Sequence, residues 1–397
     1  VERSIESRTR AQQVLLVAGI IFIGLNLRPA LASVGPLVSA IRDATGLSNV
    51  FLGLLTTLPL IGFAVFSTLT PIITRRFGVE RTLVGAMLLL ATGLVVRVAP
   101  SVVLLFAGTA LTGIAIALGN VLLPTIVKRD FPHRTGFMTS LYSSAMGLGA
   151  TVAAGVSYPL SLSLGWRGSL LVWTVLAIVA AVVWMPMARR RTHAETRFSL
   201  RQSLQDLSRS PIAWQVACFM GLQSMTFYVL LTWLPELLIA RGATPSFGGW
   251  MLALSQFTGL FGSMFIPMWA DRLPDQRRAV WMLAGAECAG LIGLLLPGLI
   301  FVPVAVVLLG FVLGGTFGLA LLFIVLRTPT SQMATELSGV AQSVGYTLAA
   351  FGPIMFGFLH DLVGGWRIPL VGLLFVLGLK LLSGLGAGRA RIIGRAE

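Results

Sequence analysis

Arg28 stands near the middle of an almost wholly apolar stretch, residues 14–41, within Gly24-Leu25-Asn26-Leu27-Arg28-Pro29-Ala30. A guanidinium stays charged and presents a planar fork of donors. That chemistry suits a small anion or an acceptor-rich group such as nitro, and it disfavours cations. A charge at such depth in an apolar run costs several kcal/mol unless it faces a wet or polar interior, so it marks a functional site by default. Pro29 and Pro36 have no N–H, so the carbonyls of Leu25 and Ala32 lose their helical donors. Gly24, Ala32 and Gly35 share the helix face of Arg28 and leave room beside it. No acidic residue lies inside the apolar runs of the first half of the chain to neutralise the charge. The plainer reading is an arginine held against carbonyls to lock the helix.

Other polar groups interrupt the apolar runs. Gln342 and Tyr346 are four apart, so an amide and a phenol share one helix face. Asn120, Tyr142 and Gln223 are further candidates, with interhelical hydrogen bonding as the alternative for each. Glu287 is the deep carboxyl, about nine residues or ~13 Å along a helix from Arg278. It is the candidate for proton coupling, although a structural hydrogen bond also accounts for it. Asp43, Glu236, Asp361 and Glu336 fall near the ends of apolar runs and are expected to be solvated. His133, His193 and His360 are scattered, and Cys218 and Cys288 lie inside apolar runs. No metal-ligand spacing, Ser/His/Asp set or phosphate loop is present, which argues against an enzyme and implies no cofactor and no metal.

These residues need a scaffold, and composition names its class. Of the 397 residues 56% are hydrophobic and 11% charged, with mean hydropathy +0.90. A soluble chain carries roughly 25% charged residues, so this one has too little polar surface for a soluble body. The apolar runs are continuous and do not alternate, which points to spanning helices and away from an outer-membrane barrel. Twelve candidates emerge, at roughly 13–41, 49–74, 80–99, 101–127, 135–163, 166–188, 212–240, 247–270, 279–298, 300–327, 337–363 and 365–387. A basic polar stretch divides them six and six. The expected organisation is a first half, 1–188, a linker, 189–211, and a second half, 212–397.

The net charge of +15 does not imply nucleic acid, because the basic residues cluster between spans. With the N-terminus inside, 22 of the 29 Lys and Arg fall on the inner side and five on the outer side. The remaining two are Arg28 and Lys380, the latter within snorkelling reach of the inner face. Both termini and the linker are therefore expected in the cytoplasm. The halves also repeat. Gly165-Trp166-Arg167 recurs as Gly365-Trp366-Arg367, Arg75-Arg76-Phe77-Gly78 is answered by Asp271-Arg272-Leu273-Pro274, and Lys128-Arg129 by Arg327. A common offset near 200 residues is the mark of two parallel six-helix repeats.

The chain at this point resembles the major facilitator superfamily and, within it, the cyanate/2-nitroimidazole permease branch. The matching stretches are Asn26-Leu27-Arg28-Pro29-Ala30 with Val34-Gly35-Pro36-Leu37, and Gly53-Leu54-Leu55-Thr56-Thr57-Leu58-Pro59. Lys128-Arg129-Asp130-Phe131-Pro132 and Leu337-Ser338-Gly339-Val340-Ala341 leading to Tyr346, with His360-Asp361, complete them. The resemblance implies an all-α membrane protein of twelve transmembrane helices in two six-helix pseudo-repeats, in a bacterial inner membrane. It implies a central cavity lined by spans 1, 2, 4, 5, 7, 8, 10 and 11, which Arg28, Asn120, Tyr142, Gln223, Gln342 and Tyr346 could face. The loop after span 2 departs from the superfamily pattern, since Pro71 and Arg75 occupy its Gly and Asp places. A gating ion pair is left to Asp271 and Arg272 in the second half. The expected activity is secondary transport of a small anionic or polar heterocyclic solute, cyanate- or nitroimidazole-like, by alternating access around Arg28. The expected partners are that solute and the lipid bilayer, with no nucleic acid and a monomeric chain. The rivals are a multidrug exporter with an apolar pocket and a non-transporting membrane receptor.

Overall fold

A computed structural model describes residues 10–131, 135–189, 210–328 and 331–393, and within these the chain is helical apart from short connections. His133, His193 and most of the basic linker lie outside the described residues, as do the side chains of Pro71, Arg75 and Glu336. Span 1 is broken into Arg10–Asn26, Pro29–Ala32 and Val38–Thr45. Spans 2, 3 and 4 are Asn49–Phe77, Val79–Val96 and Val102–Asp130. Spans 5 and 6 run together through Thr135–Leu171 and Trp173–Trp184, and Gly165 divides them. Its φ of 67° is open to glycine at little cost. Spans 7 to 12 are Pro211–Ile239, Pro245–Ala270, Arg277–Leu295, Val302–Leu326, Ser331–Val363 and Arg367–Ala387. Their limits fall within a few residues of those read from the sequence, except that span 11 begins six residues earlier, at Ser331, and span 1 continues to Thr45. Spans 7 and 8 start as their sequences direct. Proline takes the first helical position of each, and Ser210 and Thr244 accept hydrogen bonds from the backbone N–H groups of Ala213 and Phe247.

The repeat read from the sequence has a structural counterpart. In the first half Arg129, near the end of span 4, pairs with Glu80 at the start of span 3 at 2.8 Å. In the second half Arg327, just after span 10, donates to Gln276, just before span 9. Burial lowers the proton affinity of Arg327, and nearby Asp275 opposes that effect.

The halves meet chiefly through span 2 against span 11 and span 5 against span 8. Their backbones approach closely at the end of the bundle away from the chain termini, here called the far end. A Cβ at Gly53 would lie 2.6 Å from the Pro353 carbonyl oxygen, and one at Gly357 2.5 Å from that of Asn49. Only glycine fits such backbone-to-backbone contact. Glycines also allow close packing within each half: Gly314 lies against the Gly259 carbonyl and Gly149 against that of Leu25.

Lys380 and Glu236 are not where the sequence put them. Lys380 does not snorkel; it is 2% exposed and paired with Glu287, which is fully buried. Glu236 is not solvated either. It is buried and paired with Arg42 at 2.8 Å. In both cases the partner comes from a helix distant in sequence.

Candidate substrate site

Span 1 breaks where its prolines require. The residue before a proline is disfavoured in the helical region, and Arg28 adopts φ −122° and ψ −33°. The chain tightens just before it, with Leu27 N–H donating to Gly24. It restarts just after, with the N–H groups of Leu31 and Ala32 both donating to the Arg28 carbonyl. The Leu25 carbonyl, expected to be freed by Pro29, faces the close-packed Gly149 of span 5. The displaced turn is held from another side by Arg97, whose Nη1 donates to the Ala30 carbonyl at 2.9 Å.

The Arg28 side chain leaves this break half-buried, and its Cζ lies 5.1 Å from the centre of the Phe227 ring. No carboxylate pairs with it among the described residues. A guanidinium over an aromatic face gains ~0.5–2 kcal/mol, which orients the group without neutralising it. The phenols of Tyr228 and Tyr346 lie within electrostatic reach of its charge. Tyr228 packs edge-on to Phe227 with ring centres 5.1 Å apart, and Tyr346 edge-on to Phe63 at 5.5 Å. One cation from the first half thus lies over a phenyl ring from the second. A charged fork beside an aromatic face suits an acceptor-rich group.

The remaining candidates divide. Gly119, beside Asn120, packs against Leu27, beside Arg28, so span 4 carries Asn120 at the level of the break. Asn120 is half-buried and its amide has no hydrogen-bond partner among the described residues. The backbone of Tyr142 lies against Gly24, one turn before Arg28. Its burial is partial. Gln342 donates to Ser338 at 2.9 Å, one turn from Tyr346. Gln223 is 1% exposed, one turn before Phe227, and donates to its neighbour Ser224 at 2.7 Å. Asp271 and Arg272 are exposed at the terminal end of span 8, with no ion-pair partner among the described residues. Glu287 lies apart from Arg28, bound to Lys380 between spans 9 and 12. Asn26 packs helices as its register suggests, donating to Phe22 and to Leu176 of span 6.

Phe227 and Tyr228 were not singled out by the sequence reading. The signal was available: Phe227 follows Gln223 by four residues, and Tyr228 is a phenol within an apolar run, as is Tyr142.

Apolar helices long enough to cross a membrane, arranged in two six-helix pseudo-repeats, define the fold of a membrane carrier. Residues 14–353 match the model of the Major Facilitator Superfamily, and the chain belongs to that family. It is 40% identical to the 2-nitroimidazole transporter of Escherichia coli (strain K12) over 96% of this chain and 97% of that one. It is 29% identical to the cyanate transport protein CynX of the same organism, over 92% of this chain and 95% of the relative. Among solved structures, a bacterial homolog of the human lysosomal transporter Spinster, inward-facing and unoccupied, superposes with a TM-score of 0.78. The identity is 14%, over 98% of this chain and all of that one, a likeness of fold alone. The protein is a multi-pass secondary transporter of this superfamily.

Proposed function

We propose that the protein moves a small, flat, acceptor-rich or anionic solute, cyanate- or nitroimidazole-like, across a bacterial inner membrane by alternating access around Arg28. The observation that carries this reading is the Arg28 guanidinium, unpaired with any carboxylate among the described residues and stacked on Phe227 where the halves meet. A solute with exposed oxygen or nitrogen acceptors takes up the free N–H groups of the fork, and its π-face fits beside Phe227. The solutes named for the two relatives share that chemistry. The asymmetry of basic residues supports cytoplasmic termini, and the solute is handled by a single chain. Asn120, Tyr142, Gln342 and Tyr346 line its path, and Tyr228 joins them.

The test is thermal unfolding of purified protein with cyanate or 2-nitroimidazole, beside Arg28→Ala and Arg28→Lys. The ligand is expected to stabilise the parent protein and not the alanine variant. Lysine keeps the charge without the fork, so its affinity should fall about tenfold or more, one factor of ten being ~1.4 kcal/mol. Equal stabilisation of parent and Arg28→Ala would remove Arg28 from the site.

A further inference from the structure

A charge taken out of water costs several kcal/mol unless an opposite charge answers it. Among the described residues the buried charges meet that condition with one exception. Glu287 pairs with Lys380, Glu236 with Arg42, and Glu80 and Asp130 with Arg129. Arg327 is buried, bonds the Gln276 amide and the Ala387 carbonyl, and has Asp275 nearby to offset its charge. Arg97 is the exception. It is 1% exposed, and no carboxylate pairs with it among the described residues.

Arg97 follows span 3, and its side chain reaches the break of span 1. Span 4 closes over its stem: a Cβ at Gly108 would lie 2.5 Å from the Arg97 Cβ. Nη1 donates to the Ala30 carbonyl at 2.9 Å, which occupies one corner of the guanidinium. Nε and Nη2 are both buried and have no hydrogen-bond partner among the described residues. Those two nitrogens form one edge of the fork, whose parallel N–H groups grip an anion together. Buried polar atoms are almost always bonded, so two unmet donors on one full charge call for an acceptor that is itself negative. Ser33 lies three residues after Ala30, on the same side of the turn, and its hydroxyl is likewise buried without a partner. Arg28, two residues before Ala30, is a second guanidinium without a carboxylate. The break of span 1 therefore gathers two positive charges and, among the described residues, no negative one.

We propose that the Nε–Nη2 edge of Arg97 binds a compact monovalent anion, with chloride as the test ion, and that this anion is the counter-ion of the span 1 break. The anion accepts from both N–H groups of the edge, and the Ser33 hydroxyl is the further donor that the same turn offers. Enclosure of the edge favours a small ion over one with a bulky body. With its charge answered, Arg97 keeps its hold on the Ala30 carbonyl, and the ion steadies the break without touching the solute. The proposal rests on the packing of the first half and not on what Arg28 binds.

The experiment needs no solute. The purified full chain is melted in mixtures of chloride and gluconate at constant ionic strength and fixed pH, gluconate being too bulky for an enclosed edge. The melting point is expected to rise saturably as chloride replaces gluconate, by ~5 °C at about a hundredfold excess over the dissociation constant. Arg97→Met and Arg97→Gln should both lose the rise, and Arg28→Ala should keep it. A flat response in the parent protein overturns the proposal; it is the result expected if water alone meets the two donors, and the measurement requires no variant. A rise that persists in both Arg97 variants puts the chloride elsewhere and overturns the assignment, as does a rise that Arg28→Ala abolishes. Solute binding at Arg28 is scored in separate samples, so failure of the site reading and failure of the anion site are distinguishable.

Discussion

Substituting Lys380 by Met tests whether the Glu287 pair holds the second half together or serves transport. Lys380 and Glu287 are 2% and 0% exposed, and Glu287 Oε1 already lacks a donor. Removing the ammonium leaves a carboxylate in the interior with no charged partner. Breaking a buried pair in this way costs about 3–5 kcal/mol. Water offers little relief: the void beside the pair, edged by Phe219, Thr316 and Leu381, is about 10 Å³. That is room for one molecule at most, which must itself find two to four polar partners. At ~2–4 °C per kcal/mol, Lys380→Met should melt ~6–20 °C below the parent protein. Replacing both members, Lys380→Met with Glu287→Leu, removes the uncompensated charge. It should return the melting point to the parent value or above, as such replacements often do. Intrinsic-fluorescence melting reads all three proteins. A single variant that melts with the parent, or a double variant as unstable as the single, refutes the reasoning. Should the double variant melt normally yet lose proton-dependent flux, Glu287 carries the proton as the sequence first suggested.

Two further predictions follow from the same geometry. Arg97→Met removes the bond that pins the Ala30 carbonyl; a hydrogen bond from a charged donor contributes ~1.5–3 kcal/mol, so ligand affinity at Arg28 should fall about 10- to 100-fold. Calorimetric titration measures it, and unchanged affinity means that Arg97 does not position the break. Gly53→Val puts side-chain atoms into the Pro353 carbonyl and should hold the far end open. Transport is then lost while the protein still folds, and deuterium exchange in segment 353–366 rises; normal transport refutes close approach as the closing contact.

What could be read from the sequence follows how local its cause is. The break in span 1 was legible because Pro29 and Pro36 produce it within one turn. Gly165 was legible as a boundary because a charged residue follows it and glycine tolerates its φ. The paired contacts at Arg129 and Arg327 were legible as a repeat in position, though not as bonds. The partners of Glu236 and Lys380 were not legible. Each lies more than ninety residues away in the chain, and only helix packing brings it near. Tyr228 was missed for a related reason. Span 7 is buried on nearly all sides, and a helix apolar all round has no stripe to say which residues face the axis.

Arg28 and Arg97 make the same point with one residue type. Arg28 sits deep in an apolar run, so its depth in the membrane could be read from its position in the chain. Arg97 ends span 3 beside Pro100 and Ser101 and therefore reads as an outer, solvated charge. In the fold it is 1% exposed, because span 4 lies hard against it: a Cβ at Gly108 would be 2.3 Å from the Arg97 nitrogen. Position along the chain gives a charge its depth and says nothing of its direction around the helix. A transport site is defined by direction, by which side chains point at a shared axis. Arg28 could therefore be named from its own run, while Phe227, whose ring lies under it across the halves, required the packed helices.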